Sequence, residues 1–314
     1  MRSLVFIAVM LLLAGLCQAV ERDYKLKPQQ IADNTYVLIG HDEHFSFANG
    51  GNIVNTGFIV TEAGVVVIDS GPSRLYGEQL IAAIAQVTDK PVVKLFITHM
   101  HPDHFLGNQA FEGLPIAALE KTQDGIRLMG ETFNDNLYRL VGSWMKGTRV
   151  VAPNQQVEPG LQEIGGHRLQ LIAMQGHTGA DLAILDQTSG VLFAGDLVFY
   201  GRTPTTPHAN LDNWQSALEQ LRKLDFKVMV PGHGAPVTSE VAISQTSSYL
   251  SWLQHYLKKQ ADSGAAMAEL LQPDAPQNLR ELAVFKDEYT RSLSHLYPAL
   301  EAKALADGKV EQQQ

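Results

Sequence analysis

The sequence predicts a layered α/β protein. Three observations carry that prediction: short β-branched runs alternate with longer segments of helical period from Asn34 to Thr238, these runs fall into two successive β-rich halves, and turn residues follow the buried runs. With 45% hydrophobic and 18% charged residues over 314 positions, the chain has the composition of a packed globular protein. Its 24 basic and 33 acidic side chains give a net charge of −9, without any Lys/Arg run. A phosphate backbone therefore finds no electrostatic footprint, which excludes nucleic acid as a partner.

Residues 1–19 carry one Arg, an apolar stretch from Leu4 to Leu16 and then small residues, the pattern of a secretory signal peptide cleaved near Ala19. A membrane anchor needs roughly 20 apolar residues, so a periplasmic or secreted chain without stable membrane insertion is expected to begin at Val20. Leu16 directly before Cys17 disfavours a lipid anchor. Cys17 is the only cysteine and lies inside that segment. The mature chain thus has no thiol for a disulfide, a nucleophile or a metal ligand, and any metal must be held by His and carboxylate.

In chain order, TYVLIG, NIVNTGFIVT and VVVID read as strands before a first amphipathic helix at Leu75 to Val87. VVKLFITH is a buried strand ending at His99, and Pro102 to Phe111 can start a helix. After a short strand at 115–119, Ile126, Met129, Phe133, Leu137, Leu140 and Trp144 recur every three or four residues. They predict one long helix, packed on the core, with a substrate lid as the alternative. HRLQLIAM, DLAILD and VLFAG are strands, Leu211 to Leu224 a helix and FKVMV the last strand. Beyond Thr238 only helical period remains, which divides the chain into a signal peptide (1–19), a main domain (20–238) and a C-terminal helical extension (239–314).

The strongest chemical signal is His99-Met100-His101-Pro102-Asp103-His104, three imidazoles and a carboxylate in six positions at the end of a buried strand. Residues i and i+2 at a strand end project to one side, so His99 and His101 can grip one ion. Asp103 and His104, where the chain turns into a helix, can point to an adjacent place. Imidazole nitrogen and carboxylate oxygen are ligands that zinc accepts. Three more candidates follow beside glycine at strand ends: His177 in GHTG, Asp196 in AGD and His233 in PGHG. Each is weak alone; as an ordered set after HxHxDH they point to a metal centre.

HMHPDH, GHTGAD, AGD and PGHG, preceded by VIDSG at Val67 to Gly71, resemble the ordered motifs of the metallo-β-lactamase superfamily. The resemblance implies a four-layer αββα sandwich with a dinuclear zinc site in a cleft at one edge of its paired sheets. It implies His99, His101 and His177 on the first metal, Asp103, His104 and His233 on the second, and Asp196 bridging both. Asp69 of VIDSG is then the residue that orients the ligand histidines. Asp196 stands where the commonest drug-hydrolysing lactamases carry cysteine, a pattern closer to glyoxalase II and lactonases. FITHMHPDHFLGNQAF, the segment from Gly142 to Pro153 and SLSHLYPAL at Ser292 to Leu300 are similar to a periplasmic branch of zinc metallohydrolases found with sulfur-oxidation and quinoprotein relay systems.

The activity so implied is hydrolysis of an ester, thioester or amide bond, β-lactam-like amides included, in a small-molecule substrate by metal-held hydroxide, with Asp103 orienting the nucleophile and moving its proton. His41, His44 and Phe45 are expected beside the metals in a flap, with Tyr200, Arg202 and His208 after the bridging aspartate. Arg202 reads as a solvated loop arginine that could instead pair with a substrate carboxylate. The alternatives are a mononuclear iron persulfide dioxygenase on the same scaffold and an accessory protein that binds a quinoprotein or cytochrome partner.

Overall fold

The structure is a computed structural model and describes residues 22–311; the expected signal peptide, with Cys17, lies outside the described residues. Two sheets lie back to back. The first has seven strands in the order of the chain: β1 (Gln29–Ala32), β2 (Thr35–Leu38), β3 (Thr56–Thr61), β4 (Gly64–Ile68), β5 (Val92–Phe96), β6 (Ile116–Ala118) and β7 (Gln155–Gln156). β1 to β4 pair antiparallel, whereas β4 to β7 pair parallel. The second sheet runs β12-β11-β10-β9-β8, from β8 (Gly160–Ile164), β9 (His167–Met174), β10 (Asp181–Asp186) and β11 (Val191–Phe199) to β12 (Val228–His233).

Alternation along the strands generates the layers, because successive side chains leave opposite faces of a sheet. Val66 and Ile68 of β4 meet Leu182 and Ile184 of β10 in the core between the sheets. Val65 and Val67 point the other way, into a core shared with two helices, α1 (Arg74–Ala85) and α3 (Glu120–Val141). Ala183 and Leu185 face a third core under α4 (Leu211–Leu221) and α5 (Val241–Asp262). Helices, sheet, sheet and helices make the expected αββα sandwich.

α1 starts where Ser73 accepts a hydrogen bond from the backbone N–H of Tyr76, a cap contributing about 1 kcal/mol. The Pro102 segment is a single α-turn, α2 (Pro102–Phe105), followed by a 3₁₀ stretch, Leu106–Phe111. α3 ends at Val141, since Gly142 adopts φ 62° and Trp144 falls on a separate 3₁₀ turn. The expected apolar stripe also divides: Ile126 and Leu137 enter the core, but Phe133 and Leu140 line a cleft. β1, β7 and β8 lack an apolar run that would announce them. Each occupies a sheet edge, where one side of the ladder faces solvent and polar residues are tolerated.

The segment after 238 forms α5, α6 (Gln277–Arg280) and α7 (Phe285–Glu311). Leu250, Leu253, Tyr289, Leu293 and Tyr297 are fully buried against β11 and α4, each worth roughly 1.5–3 kcal/mol of apolar burial. The helices beyond 238 therefore complete the outer layer on the second sheet. Among the described residues no helix is long and apolar enough to cross a membrane.

Candidate metal centre

The sequence places its ligands through three local devices. β5 runs out towards His99; His101 then precedes α2, with Pro102 at the first helical position, so the turn presents Asp103 and His104 together. His177 lies in the turn between β9 and β10. His233 ends β12. Asp196, expected at a strand end, instead lies inside β11, where the register shifts between Phe193 and Gly195. A bulge re-aims a side chain without ending the strand.

Two glycines are required there. Gly195 has φ 52°, and a Cβ on it would lie 3.0 Å from that of Thr98. A Cβ on Gly232 would come within 1.9 Å of Asp196 Oδ1. The glycines of AGD and PGHG thus clear room for one carboxylate.

All seven expected ligands are buried and assemble into two groups, His99, His101, His177 and Asp196, then Asp103, His104 and His233, each within a 4.8 Å sphere of mutual distances. In the first, His101 Nδ1 lies 3.0 Å from His99 Nε2 and 2.8 Å from His177 Nε2. In the second, Asp103 Oδ2 lies 3.4 Å from His233 Nε2 and 3.7 Å from His104 Nε2. Asp196 spans both: Oδ1 is 3.1 Å from His104 Nε2, and Oδ2 is 3.2 Å from the Nε2 atoms of His177 and His233.

The surrounding hydrogen bonds decide which ring nitrogen faces the centre. His233 Nδ1 donates to the carbonyl of Ile53 (2.7 Å) and His104 Nδ1 to Asp69 Oδ2 (2.7 Å), leaving both Nε2 lone pairs inward. Asp69 also accepts from the backbone N–H of Thr98 and from its hydroxyl, both at 2.8 Å. It does so from φ 59°, a region that costs a non-glycine residue roughly 1–3 kcal/mol. His101, inward through Nδ1, meets His208 Nδ1 with its Nε2 at 2.8 Å.

Burial pushes the imidazoles of His99, His101 and His177 well below their ordinary pKa, which favours the neutral form a ligand needs. Burial acts the same way on His104, but Asp196, Asp69 and Asp103 outweigh it and raise the ring well above. Burial would raise Asp196, yet His233, His104, His177 and His99 together hold it well below the carboxylate range. Buried His104 Nε2 and Asp196 Oδ1 have no hydrogen-bond partner. Orphaned atoms of this kind, facing one another in a thiol-free His/Asp set, fit a bound pair of metal ions.

The centre forms the floor of a cleft of about 470 Å³. His44, Phe45, Arg202 and His208 line it as expected, His208 at the exposed rim, but His41 and Tyr200 do not. His41 is exposed, and Tyr200 packs on the core beneath α4 and α5. Arg202, read as solvated, is 2% exposed and pairs with Glu288. Phe133 and Leu140, on the helix for which a substrate lid is the lesser alternative to core packing, also line the cleft, and no local signal marks Asp287, Glu288 and Arg291 for it, because their partners lie far away in the chain.

Residues 49–233 match the model of the metallo-β-lactamase superfamily. The chain is 21% identical over 282 residues to the linear primary-alkylsulfatase of Pseudomonas sp. (strain ATCC 19151), covering 74% of this chain and 52% of that protein. It thus spans about half the length of that relative. It is 25% identical to the acyl-coenzyme A thioesterase MBLAC2 of Gallus gallus, covering 65% of this chain and 81% of the relative. Among solved structures, the metallo-β-lactamase from Pontibacter korlensis superimposes with a TM-score of 0.58 at 24% identity, over 72% of this chain and 99% of that one.

Proposed function

Because this chain belongs to the metallo-β-lactamase superfamily, we propose that it is a dinuclear zinc hydrolase of an ester, thioester or amide bond in a small molecule. The observation that carries the reading is the position of Asp196, whose two oxygens approach His104 on one side and His177 and His233 on the other. Relatives named as a thioesterase and an alkylsulfatase support hydrolysis. His99, His101 and His177 would hold one zinc, Asp103, His104 and His233 the other, with Asp196 shared. When bound, such a pair supplies Lewis acidity, which acidifies water towards neutrality and polarises a carbonyl.

The chain's own residues do the rest. Asp103, at the cleft floor, accepts the proton of the attacking water and returns it to the leaving group. Asp69 and Ile53 O hold His104 and His233 in the tautomers that turn Nε2 inward. Phe45, Phe133 and Leu140 cover the apolar part of the substrate and displace water from it. Residues 1–19 support export of the chain to the periplasm or beyond.

The test is hydrolysis of a panel of thioesters, lactones, aryl esters and β-lactams by the zinc-loaded protein, with Asp103→Asn as control. Turnover of at least one class, lost in the variant, supports the reading; no turnover by a fully loaded protein overturns it.

A further inference from the structure

The cleft has a second polar wall that the metal ligands do not account for, and the C-terminal helix builds it. Val284, just before α7, adopts φ 54°, a strained conformation for a β-branched residue. The chain around it is tied to the loop after β11: Ala283 N donates to Gly201 O (2.9 Å), and Thr203 N donates to Ala283 O (3.1 Å). This clamp brings Glu288 of α7 against Arg202.

The pair is incompletely satisfied. Arg202 Nη2 donates to Glu288 Oε1 at 3.3 Å and Nη1 to Thr205 Oγ1 at 3.5 Å, both longer than the usual 2.7–2.9 Å of a charge-assisted hydrogen bond. Arg202 Nε and Glu288 Oε2 have no partner among the described residues, although the side chains are only 2% and 1% exposed. A buried polar atom left unmade costs about 1–3 kcal/mol, and both residues line the cleft. Both atoms are closed to solvent in this conformation, so a ligand in the cleft recovers a donor contact and an acceptor contact when these two loosely paired side chains turn towards it.

The charges at this wall balance. Arg202 and Arg291 face Asp287 and Glu288, with His44 Nε2 3.4 Å from Asp287 Oδ2 and His44 Nδ1 3.5 Å from Glu288 Oε1. A simple anion or cation would gain from one partner and lose to the other. A group that accepts and donates at once gains from both.

Resting on the hydrolase reading above, we propose that Arg202 and Glu288 form a subsite for an amide group of the substrate, whose carbonyl accepts from Arg202 Nε and whose N–H donates to Glu288 Oε2. The C-terminal helix thereby determines specificity for a reaction carried out by residues of the preceding domain.

The experiment compares nitrophenyl esters of adipamate, adipate, aminohexanoate and heptanoate, which share the scissile bond and differ in the distal head. The readout is the ratio of kcat/KM values in the zinc-loaded full chain, with binding of free adipamate against heptanoate by calorimetry. The expected result is an adipamate preference of tenfold or more over heptanoate, falling below about threefold in Glu288→Gln and in Arg202→Lys, which keeps the charge but removes Nε. Equal rates, or a preference for the adipate or aminohexanoate ester, would overturn the subsite. If the variants do not fold, the wild-type ratio alone decides. If no ester is cleaved, the calorimetric preference for adipamate supports or refutes the subsite by itself, and the hydrolase reading falls only if the thioesters, lactones and β-lactams are left intact as well.

Discussion

Asp69 Oδ2 lies 2.7 Å from His104 Nδ1, and both side chains are buried. One strained aspartate thus fixes the tautomer of a candidate ligand and, through the Thr98 N–H and hydroxyl, the end of the strand that delivers His99. Asp69→Asn exchanges one oxygen for an amide that cannot accept from both groups. Metal affinity should fall about 10–100-fold, as for other partners that orient a ligand. Competition with a chromogenic chelator checks this; unchanged affinity would remove Asp69 from the centre.

Asp196→Ala removes the side chain whose oxygens approach both ligand groups. One metal per chain should be lost, with the Asp103, His104 and His233 group emptying first: each group keeps three ligands, but the other keeps three imidazoles, which suit zinc better than a carboxylate does. Metal stoichiometry after gel filtration reads the outcome, and full retention of two ions would contradict the bridging role.

Asp103→Asn keeps shape and fold but abolishes the base. Turnover should drop by about 10²–10⁴-fold, while far-UV circular dichroism stays unchanged. Turnover within twofold of wild type would place proton transfer elsewhere.

Phe133 stands edge-on to His101, 6.0 Å between ring centres, and lines the cleft. Phe133→Ala should raise KM for substrates with apolar acyl groups about tenfold, from roughly 1–2 kcal/mol of lost apolar contact, with a smaller change in kcat. Steady-state kinetics over an acyl-chain series would show whether the loss grows with chain length, as the account requires.

Chelator-treated protein should lose stability in acid. His99, His101 and His177 are held below the ordinary 6.5 by burial, so in the unfolded chain they bind protons that the folded chain refuses. Their contribution is present above about pH 6.5 and is lost as pH falls. His104 is shifted the opposite way, its contribution being complete below pH 6.5 and lost as pH rises through its raised value. His44 and His208 are lowered by burial too, whereas Asp181, which burial raises to about 7, gains stability as pH falls, so five groups against two set the sign: the thermal midpoint should fall between about pH 7.5 and 5.5. A midpoint that rises over that interval would contradict the assigned environments.

Much of this molecule was legible in the sequence wherever a local pattern sets the structure. The buried strands β3 to β5 and β9 to β12 announce themselves by β-branched or apolar runs, and HMHPDH compresses four of the seven clustered side chains into one turn. Edge strands such as β7, Gln155–Gln156, carry no such signal, because their pairing is decided by Ala117 and Ala118 across the ladder. Arg202 has the sequence context of a solvated loop residue because its partner, Glu288, lies 86 positions away. Likewise Leu140 belongs to the apolar stripe of α3 yet points to the cleft, which only the packing of the two sheets reveals.

The central claim is the dinuclear zinc centre, and elemental mass spectrometry of the mature protein, purified without chelator, tests it most directly. The account predicts about two zinc ions per chain. About one iron per chain, or no metal even after reconstitution with zinc, would contradict it.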